Sequence, residues 1–142
     1  MGKILVHNIA LPNKPLSNRE LERAIAALGI PNFRGVFMRD SLPSSPRHKE
    51  CGILNHDDRN GPGTHWTCWY KNRGMKVYFD PYGLPPPAEM VDYLEPEIRY
   101  NTDELQRRGT VVCGHFCLHM LKELSDGRPF DEVVFSLMTV NK

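Results

Sequence analysis

The sequence predicts an α+β fold, a small antiparallel sheet with helices packed on it, in a single domain spanning residues 1–142. Three observations carry this. "THWTCWY" and "MKVYFD" are short stretches rich in aromatic and β-branched residues, and the "KNRG" between them is a hairpin signal. "LSNRELERAIAALGIP" and "VVCGHFCLHMLKEL" repeat apolar residues at helical spacing. A chain of 142 residues, 40% hydrophobic and 25% charged, has the size and composition of one globular core.

Taken in order, the first helix opens on a capping box, Ser17 with Glu20, which Leu16 and Leu21 can staple. Leu21, Ala24, Ile25 and Leu28 form its apolar stripe, and Gly29 and Pro31 stop it. "FRGVFM" is expected as a short strand and "RDSLPSSPRHKE" as an exposed loop. The hairpin ends in the proline-rich turn "PYGLPPP"; "AEMVDYL" reads as a helix stopped before Pro96, and "IRYNT" as a further strand. Cys113, Phe116, Cys117, Met120, Leu121 and Leu124 mark one buried helix face. Phe130, Val133, Val134, Leu137 and Met138 suggest a closing helix.

The hairpin's alternation predicts its register. With a loop of two or four residues, Trp66, Cys68 and Tyr70 oppose Phe79, Val77 and Met75 on a core face. The other face, off the core, then carries Thr67 and Trp69 with Tyr78 and Lys76, and sets His65 directly across from Asp80. A three-residue loop would put Asp80 opposite Trp66 instead; the apolar alternation favours the first register.

Net charge is +1, so no broad basic surface is implied, and nucleic-acid affinity would require a local patch. The apolar run from Ile4 to Val6 is too short for an export signal or a membrane span, and Val6 stands where a myristoylation signal needs Ser or Thr. An intracellular chain with four reduced thiols is therefore expected, and a disulfide framework is the weaker alternative.

Two cysteines and two histidines lie between Cys113 and His119. The Cys113/Cys117 and His115/His119 pairs are each spaced for chelation but point to opposite sides of a helix, about 200° apart. No second chelating pair completes a site elsewhere, so no metal is expected. Cys117 reads as a core residue. Cys113 opens its helix, where free backbone N–H groups and the helix dipole favour a thiolate, and Gly114 permits close approach of another chain. His65 and Asp80 would supply the base and the orienting acid that such a nucleophile needs. Singly, His65 reads as a surface histidine and Asp80 as a turn former; their joint placement is what counts.

"GTHWTCWYKNRGMKVYFDPYG", Gln106 and "VVCGHFC" together resemble the adenovirus endopeptidase (adenain) family and, more distantly, the ubiquitin-like-protein-specific proteases of the same clan. The order His-Trp, acid, Gln, Cys-Gly is shared, "ILNHDDRNGPGTHW" resembles the segment leading into the adenain histidine, and the likeness covers roughly residues 33–124. It implies a papain-like, adenain-like cysteine protease core with the nucleophile at a helix N-terminus. Cys113 would be the nucleophile, His65 the base, Asp80 the acid that fixes its tautomer, and Gln106 an oxyanion donor. Gln106 would read as a solvated polar residue without the family pattern. Trp66 and Gly114 are expected at the substrate, Trp66 equally well in the core, while His115 and His119 have no assigned role. The chain departs from adenain in carrying Asp80 in place of Glu, and in being too short for the whole region that binds an activating viral peptide.

The resemblance implies an endopeptidase cutting viral or virus-like precursors at small-residue or glycine-containing sites. No cofactor is expected, and the expected location is intracellular, the host nucleus or the virion if the chain is viral. Partners so implied are a polypeptide substrate, whether a precursor or a ubiquitin-like tail, and an activating peptide or DNA; no membrane is expected. Ubiquitin-like-protein deconjugation is the close alternative. The rival class is a non-catalytic module binding protein or nucleic acid through Trp66, Trp69, Tyr78 and the "RRG" at 107–109.

Overall fold

The structure, a computed structural model, describes residues 2–56, 65–106 and 110–140, with side chains to residue 138. Strands β1 (Lys3–Val6) and β2 (Ile9–Pro12) form an antiparallel ribbon, followed by α1 (Asn18–Leu28). Then come β3 (Phe33–Met38), β4 (Lys49–Asn55), β5 (Trp66–Asn72), β6 (Met75–Phe79), α2 (Ala88–Leu94), β7 (Arg99–Tyr100), α3 (Cys113–Ser125) and α4 (Phe130–Val140). The main sheet has the order β3-β4-β5-β6-β7. Its three central strands are antiparallel, and β3 and β7 join the two edges in parallel.

Local chemistry accounts for most of these boundaries. The Ser17 hydroxyl accepts from the Glu20 N–H at 3.1 Å, and the Glu20 carboxylate accepts from the Ser17 N–H at 2.9 Å, which closes the capping box of α1. Gly29, at φ 69°, terminates it by donating to Ala26, while Ile30 N–H reaches back to the Ile25 carbonyl. Leu21, Ala24, Ile25 and Leu28 are buried as the stripe requires. Strand β4 has no counterpart in the sequence reading: Lys49 and Glu50 end the expected loop but begin this strand.

The sheet is covered on both faces. Cys51, Ile53, Cys68, Val77 and Phe79 pack with α1, α3 and α4 in the larger core. Leu54, Trp69 and Tyr78 pack on the opposite face with Met90, Tyr93 and Leu94 of α2. The face expected off the core is therefore a second core, and Trp69 and Tyr78 have no exposure. Helix α3 is buried nearly all round, with His115 and Leu118 inside as well as the predicted stripe, of which Phe116 alone is only partly buried.

The hairpin register differs from the expected one by two residues. Cys68 pairs with Phe79, Trp69 with Tyr78 and Tyr70 with Val77, around a loop of Arg73 and Gly74. Arg73 takes the left-handed conformation, at φ 57°, that a tight reversal demands. A slide of two preserves which side chains share a face, so the alternation is equally satisfied by both registers.

Gly52 of β4 lies directly opposite Trp69, whose indole covers it. A methyl group there would stand 2.3 Å from Trp69 Cη2. The indole cannot withdraw, because its N–H donates to Glu50 Oε1 at 3.0 Å and Tyr93 O–H donates to the same oxygen at 2.6 Å. Gly52→Ala is accordingly expected to cost about 1–3 kcal/mol through overpacking. The measurement is the urea midpoint at unchanged m-value; a midpoint within experimental scatter of the parent's would refute the close packing.

Candidate active site

The site forms where the end of β6, the start of β5 and the start of α3 meet. His65 Nε2 lies 2.7 Å from Asp80 Oδ1. Asp80 has no exposure, and the His65 side chain is 14% exposed. With Nε2 committed to the carboxylate, Nδ1 is the ring nitrogen left to serve a thiol. The two residues are not direct cross-strand partners as expected. Continuing the observed register brings Asp80 beside Thr67, so His65 reaches it diagonally, from the same face and two residues further on.

Cys113 is the first residue of α3. Its sulfur accepts a hydrogen bond from the Trp66 backbone N–H at 3.4 Å, which sets it beside the residue that follows His65. Burial alone would lower the His65 pKa, but hydrogen bonds to Asp80 and Cys113, and the charges of both, raise it from 6.5 to about 9. A folded-state value above the unfolded one means the proton stabilises the fold. That contribution is whole below about 6.5 and is lost as pH rises through about 9.

Gln106 is buried and its main chain is fixed to the acid turn: the N–H groups of Leu105 and Gln106 both donate to the Pro81 carbonyl, at 2.8 and 3.0 Å. One N–H of its amide donates to the Thr110 carbonyl at 3.1 Å, and a primary amide carries a second. Trp66 belongs to the core at 4% exposure, its indole N–H donating to the Leu16 carbonyl at 2.9 Å. Gly114 is buried too; a methyl group on it would stand 3.2 Å from Leu16 and Leu21 and 3.3 Å from the Trp66 ring. Its bare Cα thus serves the packing of α3 on α1 and β5. What Trp66 offers the site is its backbone N–H, not its ring.

The other thiols are spent on structure. Burial pushes the Cys51 thiol up to about 12, and burial with a hydrogen bond to Cys68 pushes Cys117 well up. Cys117 S–H donates to the Trp66 carbonyl at 3.4 Å. None of the four cysteines is in a disulfide. Among the described residues no three His, Cys, Asp or Glu side chains converge as metal ligands. His115 and His119 also find partners: His115 Nε2 donates to the Pro12 carbonyl at 2.9 Å, and His119 stacks on His7 at 5.3 Å. The ring platform of Trp66, Trp69 and Tyr78 is buried throughout, at 4%, 0% and 0% exposure, so it forms no docking surface. The arginines of "RRG" and most of the segment leading to His65, residues 57–64, lie outside the described residues.

Asn101 carries no signal in the sequence, and Tyr82 enters it only within the "DPYG" that follows the acid, yet both bear on the site. Asn101 Oδ1 accepts from the Asp80 N–H at 3.2 Å, and its Nδ2 donates to the Asp80 carbonyl at 2.7 Å and the Asp103 carbonyl at 3.3 Å. The side chain thereby extends the parallel β6/β7 pairing one step past Tyr78 and Tyr100. The Tyr82 N–H donates to Asp80 Oδ1 at 2.7 Å, and its ring stacks on His65. Gly83, at φ 77°, lets this turn lie against the 102–103 backbone, where a methyl group would stand 2.7 Å from the Asp103 oxygen.

No family model matches the chain. A protein of Acanthamoeba polyphaga mimivirus, provisionally named a thiol protease, is 27% identical in an alignment 97 residues long that covers 58% of this chain and 32% of that protein. The crystal structure of a protease of African swine fever virus (ASFV) superposes with a TM-score of 0.65 at 16% identity, covering 87% of this chain and 62% of its own. The selenomethionine form of the same protease gives a TM-score of 0.62 at 15% identity, over 89% and 66%. The chain therefore has the α+β fold of a protease, while spanning about a third of the mimivirus protein and under two thirds of the ASFV one.

Asn101→Ala is expected to destabilise the fold by about 1–3 kcal/mol, because it strands the buried N–H of Asp80, while the Asp80 carbonyl keeps the Gly83 N–H. Chemical denaturation measures this directly, and a loss under about 0.5 kcal/mol would mean the clamp is dispensable.

Proposed function

We propose that this chain is a cysteine peptidase in which Cys113, His65 and Asp80 act together. The observation that carries the reading is the 2.7 Å pairing of His65 with a fully buried carboxylate, beside a sulfur seated at a helix start on the Trp66 N–H. The mimivirus likeness and the protease fold support it.

In this mechanism His65 Nδ1 takes the Cys113 thiol proton, and the sulfur attacks the scissile carbonyl carbon. The carbonyl oxygen becomes an oxyanion, received by the Cys113 backbone N–H and the second N–H of the Gln106 amide. As the C–N bond breaks, the His65 imidazolium returns the proton to the leaving amine, and a thioester remains on Cys113. Water, deprotonated by His65, hydrolyses the thioester and frees the acid and the thiol. Asp80 keeps its negative charge throughout and holds the ring's tautomer and direction.

The low exposure of Cys113, 4%, supports a slim substrate, and so cleavage at glycine or other small residues. Substrate contact at Trp66 and Gly114 is then through their backbones. Viral or virus-like precursor polypeptides are the proposed substrates, in keeping with the viral relatives. A ubiquitin-like tail offers the same carbonyl chemistry. DNA or an activating peptide is proposed as an accessory ligand, recognised by salt-sensitive stimulation of turnover.

An electrophilic thiol probe and a peptide library, applied to the parent and to Cys113→Ser, test the central reading. The parent should label once and cleave; the variant should lose labelling and at least about 10⁴-fold in turnover. Equal labelling of both would move the nucleophile elsewhere. Gln106→Ala should lower turnover by about 10²–10³-fold with binding little changed.

The imidazolium that protonates the leaving amine is lost as pH rises through about 9, so the alkaline limb of the rate profile should centre there. Asp80→Asn removes the larger of the two raising influences, and should shift that limb to lower pH as well as reducing the rate. An alkaline limb indifferent to residue 80 would exclude His65 as its source.

A further inference from the structure

We propose that Tyr82 is a positioning residue for His65, its ring fixing the plane in which the imidazole presents one nitrogen to Asp80 and the other to Cys113. The two rings lie 4.4 Å apart between centroids, at an interplanar angle of 16°. The inference rests on the peptidase reading for its kinetic consequence only.

The hydrogen bonds of His65 to Asp80 and Cys113 act at the edge of the ring. The imidazole can still tilt about them, and a tilt bends Nδ1 away from the sulfur. A second constraint is therefore needed, and it has to act on the face of the ring. The neighbouring His56 ring does not provide it, since it meets His65 at 5.9 Å and 55°. Tyr82 lies nearly parallel to the imidazole and so resists the tilt directly.

The same residue also holds the acid. Its backbone N–H donates to Asp80 Oδ1 at 2.7 Å, the oxygen that pairs with His65. One residue thus registers the carboxylate through its main chain and the imidazole through its side chain. Its backbone in turn is held on both sides. The Pro81 carbonyl receives the Leu105 and Gln106 N–H groups, and the Gly83 N–H donates to the Asp80 carbonyl at 2.8 Å. The turn cannot relax without releasing the acid.

Two further properties follow from the ring's chemistry. The electron-rich face of a phenol attracts an imidazolium more than a neutral imidazole. The ring also screens one face of the base from water, which strengthens its interaction with Asp80. Neither property uses the hydroxyl, so phenylalanine should serve as well as tyrosine and leucine should not.

The test is an NMR titration of the His65 ring in the full chain, assigned with His65→Asn, alongside kcat and KM on a cleaved peptide. Tyr82→Phe should keep the parent's titration midpoint and kcat. Tyr82→Leu should lower the midpoint by about 0.5 to 1 and kcat by about tenfold, with KM little changed. If the leucine variant matches the parent in both, or the phenylalanine variant falls as far as the leucine one, the proposal is overturned. Should Tyr82→Leu not fold, the parent itself decides: the His65 ring protons must show the upfield ring-current shift of a stacked partner, and its absence would overturn the proposal. A chain that cleaves no peptide but shows the Tyr82-dependent midpoint keeps this inference while removing the peptidase reading.

Discussion

A carboxylate without solvent exposure, gripping an imidazole at 2.7 Å, is the constraint around which this fold is organised. Taking Asp80 out of water is costly, and the cost is offset through Oδ1 and the backbone, while Oδ2 is buried without a hydrogen-bond partner among the described residues. The chain supplies this offset from three directions. His65 and the Tyr82 N–H converge on Oδ1, and Asn101 takes both backbone groups of Asp80. The short edge strand β7 exists in part to deliver Asn101 there, one step beyond its pairing with β6. The following segment then folds back on Pro81, which brings Gln106 to the same turn. Acid and amide thus arrive as one unit, although 26 positions separate them (106 − 80).

The sheet that supports this unit is apolar on both faces. Cys68, Val77 and Phe79 meet α3, and Trp69 and Tyr78 meet α2. Strand β5 is therefore central in two senses, paired on both edges and packed on both sides. The buried Glu50 is compatible with this arrangement because Trp69, Tyr93 and Arg34 all turn donors toward it. Such a carboxylate locks the approach of α2 to the sheet without leaving an unpaired charge.

Much of this was legible in the primary structure, and the failures have specific causes. The capping box at Ser17, the helix over "AEMVDYL" and the strand over "FRGVFM" rest on local chemistry and appear where expected. His65, Asp80 and Cys113 were found through residue types in a known order, and the structure brings them to one place. The hairpin register was not legible beyond its parity, since alternation repeats every two residues. The covering of the second face was missed because α2 comes later in the chain and announces no target. Strand β4 was hidden by the polar Lys49-Glu50 start and by Gly52, whose role depends on an indole opposite. Asn101 and Tyr82 are ordinary residues by type; only the meeting of distant segments gives them work. Trp66 and Gly114 are expected at the substrate, Trp66 equally well in the core; the structure anchors the Trp66 indole on the Leu16 carbonyl, and a methyl group on Gly114 would meet Leu16, Leu21 and Trp66.

Trp66 rivets the two layers that the chemistry draws on. Its amide hydrogen meets the sulfur of Cys113, its carbonyl meets Cys117 one turn further along the helix, and its indole fastens to Leu16 at the entrance to α1. The sulfur rides on a helix and the imidazole on the sheet, so any slippage between these layers would separate them while leaving imidazole and carboxylate joined. The two backbone bonds to α3 oppose that slippage, and the indole bond ties the same residue to the entrance of α1. Residue 16, nearly a hundred positions upstream of the sulfur, therefore belongs to the mechanical linkage that keeps the reacting atoms in step.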